Sequence, residues 1–382
     1  MQTIKEFIKN NTNSMFKTLK ELCLIPAPSH KELQRAEYCK KWLECNGAKN
    51  VYIDDALNVI FPLNCENSSE ITVFAAHTDT VFPDTVPMPY SEDEEKIFCP
   101  GVSDDTASVV TLLYIAKYFI ENSIIPAKGV MFVCNSCEEG LGDLKGTKQL
   151  FRTFAGKIKH FITFDNQLEV VADCCVGSHR YEVEVFTEGG HSLSDFGNKN
   201  SIVELSKIVS KIYSIDVPKI GNSLTTYNVG IFEGGTSVNT IAQSAKMLCE
   251  YRSDNYECLS IMQKQFEEIF SSSQADDVVV KVTKVGDRPC ANIELNKIEE
   301  LKQKIIPVIS EIIGKKIEFC SMSTDCNIPL SLGIPALCIG TSTHGGVHTR
   351  EEWIEKSSII SGFEIGIKTA LVLTEVNYCE NC

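Results

Sequence analysis

Five short segments of the chain carry histidines and carboxylates in patterns that suit metal chemistry. His77-Thr78-Asp79 follows the apolar run 71–76, and Glu138-Glu139 follows the apolar run 129–134. Asp165 stands at the end of a third such run, 161–164. An Asp104-Asp105 pair precedes a helical pattern, and His348 lies in the glycine-bounded loop Gly345 to Thr349. In open α/β sheets ligands bind outside the carboxyl ends of the strands, so loops leaving those ends can bring the segments together. Imidazole and carboxylate donors suit Zn²⁺, Mn²⁺ or Co²⁺. An open catalytic zinc site has three protein ligands, and two histidines with three carboxylates exceed that number. They match two ions that share one bridging carboxylate and sit roughly 3.5–4 Å apart around a common water.

Asp79, two residues past His77, is placed to orient that imidazole through its second nitrogen. Adjacent Glu138 and Glu139 diverge in a turn, so one can bind metal while the other faces the water. Asp105, next to a helix start, is the expected N-cap, which leaves Asp104 to bind metal. His344 competes with His348, and the Thr349-Arg350-Glu351-Glu352 context favours His348. Each segment alone has a duller reading, as a structural turn, a cap or a solvated pair. It is their joint occurrence in this order that points to a site. His30, His160 and His179 read as surface or internally satisfied histidines. Two Cys-x-x-Cys patterns, Cys134 to Cys137 and Cys379 to Cys382, are weighed as a zinc or redox site and set aside, because one leads into the carboxylate loop and the other ends the sequence. A cysteine nucleophile is disfavoured for want of an evident histidine partner. No H-E-x-x-H, P-loop or G-x-S-x-G pattern occurs.

The elements that must position these residues alternate at first between strand and helix. Ser29 with Glu32 reads as a capping box opening a helix that runs to Gly47. Strands are expected at 51–60, 71–76, 129–134 and 160–164, and helices at 106–122 and 147–154. This alternation implies a largely parallel sheet covered on both faces. From 178 to 288 the order becomes β-α-β-β-α-β, the split βαβ or ferredoxin-like arrangement, complete in itself. After Arg288 the first style returns, with a helix at 296–313, a strand at 336–339 and a closing helix at 352–374. The expected organisation is therefore a discontinuous α/β domain, 1–177 with 289–382, interrupted by an inserted α+β domain, 178–288.

Composition narrows the partners. The 382 residues carry a net charge of −15, which disfavours binding to phosphate backbones and so argues against nucleic acid. No run of 18 apolar residues occurs and the N-terminal segment lacks an apolar signal core, so neither a membrane span nor a secretory signal is expected. The seventeen cysteines then read as reduced buried thiols, which fits a cytoplasmic location.

With these residues in place, the chain resembles the M20 metallopeptidases, a family with aminoacylase-, carnosinase- and tripeptidase-like members. The resemblance covers nearly the whole chain. His77-Thr78-Asp79-Thr80-Val81 is similar to the family's H-x-D-x-V, Gly101 to Asp105 to its G-x-x-D-D, Glu138-Glu139 to its E-E pair and His348 to its last metal histidine. It implies His77, Asp104, Glu139, Asp165 and His348 as ligands of two divalent metals, zinc foremost with Mn or Co as options, and Asp104 as the bridge. It implies Glu138 as general base and Asp79 as its modulator beside His77. The inserted domain would be a lid and dimerisation domain on a zinc-peptidase-like catalytic domain, giving a homodimer. Within it, His191 would stabilise the oxyanion, and Asn239 and Arg252 would contact substrate, the arginine through a carboxylate. The implied reaction is amide hydrolysis of di- or tripeptides. The alternatives are a deacylase of N-acyl amino acids, in the manner of aminoacylases and acetylornithine deacetylases, and a non-catalytic metal-binding scaffold. Asp165 in Phe164-Asp165-Asn166, without a Gly-Glu-Pro context, fits the peptidase branch, whereas Thr106-Ala107 departs from the Lys-Gly that often follows the D-D pair.

Overall fold

The computed structural model of the chain describes residues 2–376, so Cys379 and Cys382 of the second Cys-x-x-Cys pattern lie outside the described residues. These residues form two compact units, one running up to Cys175 and resuming at Asn292, the other spanning Val176–Ala291. The sequence reading puts its transitions at 177/178 and 288/289.

The first unit is built on an eight-stranded sheet. Its centre is Ile71–His77, flanked in parallel by Gly129–Asn135 and Ile158–Phe164, with Ala336–Ile339 parallel to the latter. Three of them are buried throughout, and Ile158–Phe164 is buried except at Lys159 and His160, as strands between two layers must largely be. One row of side chains crosses them: Phe61, Phe132, Phe74 and Phe164 stack in sequence, with centroids 5.8–6.5 Å apart. The helix Ala107–Glu121 packs on the same strands and sets Phe119 edge-on to Phe132. Such pairs add about 0.5–1.5 kcal/mol each beyond the area they bury. The register puts His77 opposite Asn135 and Ala75 opposite Thr163. The carboxyl ends of three strands are thereby aligned, which sets the stage for the residues that follow them.

Several elements differ from the sequence reading. The stretch 51–60 is a hairpin of Tyr52–Ile53 and Val59–Leu63, not one strand. The helix Ile4–Cys23 and the strands Val170–Cys175 and Glu318–Met322 had no counterpart in it. The closing helix starts at Lys356, because Trp353–Glu355 is a strand of a small antiparallel sheet with His344–Gly345, Lys96–Phe98 and Ser91–Glu92. No described helix is long and apolar enough to cross a membrane. The fifteen described cysteines are free thiols.

The second unit has four antiparallel strands, ordered Thr225–Gly234, Ser244–Ser253, Gly177–Thr187 and Val278–Arg288, with helices Ser201–Ile212 and Tyr256–Ser271 on one face. Tyr181, Val183 and Val185 point into its core with Met247, Tyr251 and Phe266. The β-α-β-β-α-β order is therefore realised, with N-caps Asn200 and Asn255 accepting from the first backbone N–H groups of the two helices.

Phe132, 2% exposed and in contact with three other rings, is the keystone of the aromatic row. Phe132→Ala is expected to lower stability by about 3–5 kcal/mol, read as a shift of the urea midpoint.

Candidate metal centre

The strand Ile71–His77 ends on a histidine whose ring is fully buried. Its Nδ1–H donates to the Asp79 backbone carbonyl at 3.1 Å, which leaves the Nε2 lone pair for a metal. Nε2 lies 3.0 Å from Asp104 Oδ1 and 4.0 Å from Asp165 Oδ1, yet makes no hydrogen bond. The other Asp104 oxygen, Oδ2, lies 2.9 Å from His348 Nε2, which is in turn 3.3 Å from Glu139 Oε1. Asp104 thus turns one oxygen to each histidine. Asp165 falls on the His77 side and Glu139 on the His348 side. Donor atoms of His77, Asp104 and Glu139 all lie within 4.8 Å of one another.

Asp104 is presented by a loop that leaves Gly101 with φ +75°, where a Cβ would come within 2.6 Å of Thr80 Cγ2. The Asp104–Asp105 peptide is cis. Asp105 is not the N-cap expected of it: that position is Thr106, and Asp105 Oδ2 accepts the His77 backbone N–H at 3.0 Å. It anchors the histidine from behind.

Glu138 and Glu139 follow Cys137, whose φ of +56° turns the chain out of its strand. The Asp79 carboxylate holds this turn. Oδ1 accepts from Glu138 N and Oδ2 from Glu139 N, both at 2.9 Å, and Ser29 Oγ donates to Oδ2 at 2.7 Å. His77 Nδ1 is 3.4 Å from Oδ1. Asp79 therefore orients the imidazole mainly through its carbonyl, and its carboxylate grips the two-glutamate turn. Ser29 and Glu32 form no capping box either. The helix Leu33–Cys45 has no side-chain cap, and Glu32 Oε1 accepts from His30 N, Cys137 N and Cys137 Sγ.

The electrostatics show what the cluster lacks. Burial alone would lower the His77 pKa, but Asp104 and Asp79 raise it well above the usual histidine value. His348 is pushed up to about 10 by Asp104 and Glu139. Glu139 is pushed up to about 8 by burial and by the Asp104 charge. Burial and the same charge raise Asp165. Burial would also raise Asp104, but its contacts with the two histidines hold it well below the usual carboxylate range. A buried carboxylate cluster faced by two imidazoles is short of positive charge. His77 Nε2 and Glu139 Oε1 make no hydrogen bond despite ionisable neighbours at 3.0 and 3.3 Å, which points to the same deficit. The donor set of His77, Asp104 and Glu139 fits a divalent cation.

The competing histidine stands differently: His344 Nδ1 is 3.0 Å from Ser342 Oγ and burial lowers its pKa, whereas His348 is the one that Asp104 and Glu139 contact. Cys134 and Cys137 do not act together. Cys134 bonds to Cys39, whereas Cys137 has the histidine neighbour that the sequence did not reveal, His30 Nδ1 at 3.4 Å. Burial and Glu32 push the Cys137 thiol up to about 12, so no thiolate forms there near neutral pH. Two buried carboxylates went unrecognised in the sequence. Asp325 accepts from Asn135 Nδ2 at 2.6 Å and from Thr147 Oγ1, and is pushed up to about 6 by burial and by the Glu138 charge. Glu352 accepts from the loop that carries Asp104, and burial raises its pKa against those bonds. Neither stands at the end of an apolar run, the signal that exposed the others.

His191, Asn239 and Arg252 lie in the second unit. Gly190–His191 pairs with Thr240–Ile241, and Ser192 N donates to the Asn239 carbonyl at 3.0 Å, so His191 and Asn239 are neighbours. The exposed His191 accepts at Nδ1 from Leu193 N, which places its proton on Nε2. Asn239 Oδ1 accepts from Ser237 Oγ. Arg252 makes a two-pronged contact with Glu250, at 2.7 and 3.0 Å, and Glu250 also takes Arg180.

A profile of the family described as Peptidase family M20/M25/M40 matches residues 73–371. The acetylornithine deacetylase of Myxococcus xanthus is 20% identical over 369 residues, spanning 90% of this chain and 93% of that protein. Among solved structures, aminopeptidase PepT from Bacillus cereus superposes with a TM-score of 0.71 at 19% identity, covering 94% of this chain and 98% of that one. The dipeptidase Dug1p from Saccharomyces cerevisiae does so with a TM-score of 0.75 at 14% identity, covering 98% of each.

An amide at position 79 sets its N–H₂ against one of the two backbone N–H groups that Glu138 and Glu139 donate to separate oxygens. Asp79→Asn is expected to weaken divalent-ion binding by roughly 10–100-fold, measured by calorimetric titration with Zn²⁺. Unchanged affinity would show that the grip on the turn is dispensable.

Proposed function

The chain belongs to peptidase family M20/M25/M40, a family of hydrolases, and from that premise we propose that it cleaves the amide bond of di- or tripeptides with two divalent metal ions, zinc foremost. The observation that carries this reading is the Asp104 carboxylate, with one oxygen 3.0 Å from His77 Nε2 and the other 2.9 Å from His348 Nε2. That is the disposition a bridging ligand needs. Asp165 would complete the His77 side and Glu139 the His348 side. Two ions so held would lower the pKa of a shared water and polarise the scissile carbonyl.

The remaining steps belong to the chain's own side chains. Glu138 is the general base, taking the proton of the attacking water and passing it to the leaving amine. Support for this comes from its position: its backbone N–H is fixed by Asp79, and its charge is among the influences that raise Glu139, Asp165 and Asp325, whose pKa values burial raises first. Asp79 modulates that base by holding the turn. His191 is assigned to the oxyanion, and its Nε2–H supplies the donor such a role requires. Asn239, beside it in the paired strands, and Arg252 are assigned to substrate contact, the arginine on condition that a substrate carboxylate competes with Glu250.

The second unit is proposed to serve as a lid and to form a homodimer, supported by Phe186, Ile231 and Val279, which its sheet exposes. The many free thiols support a reducing, cytoplasmic setting. Deacylation of N-acyl amino acids would use the same centre, and the likeness to a deacetylase keeps it as the second reading.

The test is a substrate panel of dipeptides, tripeptides and N-acyl amino acids, run with and without a chelator. Chelator-sensitive cleavage of free-amino peptides is expected, and Glu138→Gln is expected to lower kcat by roughly 10²–10⁴-fold while two ions remain bound. Cleavage confined to the N-acyl set would move the chain to the second reading. No turnover with any metal would overturn both.

A further inference from the structure

Glu352 is 1% exposed and lies at the end of the hairpin that carries His348. Its carboxylate reaches across to the loop that carries Asp104. Oε1 accepts from Ser103 N at 2.8 Å, Ser103 Oγ at 2.6 Å and Asp104 N at 3.0 Å, and Oε2 accepts from Gly101 N at 2.7 Å. Its backbone carbonyl takes Cys99 N at 3.1 Å, and the next three residues pair with Lys96–Phe98. The loop 99–104 and the loop 345–352 are thus joined twice, by the small sheet and by one side chain. These are the loops that bring Asp104 Oδ2 and His348 Nε2 together.

We propose that Glu352 is a positioning residue for the ion held on the His348 side. It fixes the bridging aspartate relative to the histidine four residues before it. This rests on the two-ion reading above. Four donors converge on one carboxylate, so the role demands an acceptor at every position. A carboxyl group meets that demand with two acceptor oxygens, whereas an amide offers one, and its N–H₂ would face a backbone N–H. His77 and Asp165 receive no contact from Glu352, and their half of the centre is anchored separately, by Asp105 behind His77 and by the strand ends. Asp104 is shared by both halves, so losing Glu352 acts on both ions but most on the His348 side, where the aspartate and the histidine are both carried by the loops it ties.

The experiment titrates Zn²⁺ alone into the full chain by calorimetry, with metal content after dialysis as a second reading. The unaltered protein binds two ions. In Glu352→Gln one ion is expected to weaken by roughly 10–100-fold, the range seen when a group supporting a metal ligand is lost, and the other by clearly less. Ser103→Ala removes only the hydroxyl bond and is expected to shift the same ion in the same direction by less. Turnover of Glu352→Gln is expected to recover as Zn²⁺ is raised, which a general loss of structure would not allow. Two ions with unchanged affinities in Glu352→Gln, or equal weakening of both, would overturn the proposal while leaving the two-metal reading intact. Fewer than two ions in the unaltered protein would overturn both. Should Glu352→Gln fail to fold, Ser103→Ala decides, and an unchanged weaker ion overturns the assignment.

Discussion

The Asp79 carboxylate is the constraint on which the centre depends. It is fully buried, and an isolated charge in that position would be untenable. What makes it tolerable is a complete set of donors drawn from three separate segments: Ser29 Oγ and the backbone N–H groups of Glu138 and Glu139, with His77 alongside. Burial would raise its pKa, yet these partners leave it lowered, so it stays ionised as an acceptor. The consequence is geometric. The loop after the strand Gly129–Asn135 cannot shift without breaking bonds to the loop after Ile71–His77. The two glutamates and the histidine therefore move as one body. The parallel register beneath them, His77 opposite Asn135, supplies the same alignment from the sheet.

Around that fixed point the protein accumulates like charge. Asp104, Asp105, Glu138, Glu139, Asp165 and Asp325 lie in one buried region, opposed by His77 and by the half-exposed His348. Nothing in folding alone favours such an arrangement, because each carboxylate raises the pKa of its neighbours and stays desolvated. The strain is distributed by giving each carboxylate a backbone or side-chain donor where one can be found. Three atoms of the cluster are still left without a hydrogen bond: His77 Nε2, Asp105 Oδ1 and Glu139 Oε1. Consistency among local rules breaks down here and nowhere in the aromatic row below, which is the pattern expected of a functional site on a well-packed scaffold.

What the sequence made legible follows from the same division. His77, Glu138, Glu139 and Asp165 follow apolar runs long enough to be buried strands, so their position at the strand ends could be read directly. Ser29, Glu32 and Asp105 could not be read, because a carboxylate or hydroxyl beside a helix start has the same sequence signature whether it caps that helix or holds a distant loop. The contrast with Thr3 and Glu6 is instructive: the same S/T-x-x-E spacing there does form a capping box, on the helix Ile4–Cys23. Only tertiary context separates the two cases. The strands at 91–98 and 344–355 are two or three residues long and carry no periodicity, so in sequence Glu352 merges with the helix that follows. Val170–Cys175 and Glu318–Met322 are partly exposed and lie toward one edge of the sheet, where alternation is weak.

The two histidines then differ in kind. His77 ends a central strand, is buried, and is fixed at its backbone by Asp105 and at its ring by the Asp79 carbonyl. His348 sits on a hairpin at φ +64° with its side chain 55% exposed, and the order of its loop comes from the small sheet and Glu352 rather than from the core. A ligand set by a packed sheet has one geometry. A ligand set by a hairpin has the geometry its tethers impose. Asp104 belongs to both, since its two oxygens face the two histidines while its own backbone is held from the hairpin side through Glu352. Asp104 is therefore the point where the sheet-borne and the hairpin-borne parts of the cluster meet, and the four donors that the loop 101–104 commits to Glu352 show how much of the local structure is given to holding it there.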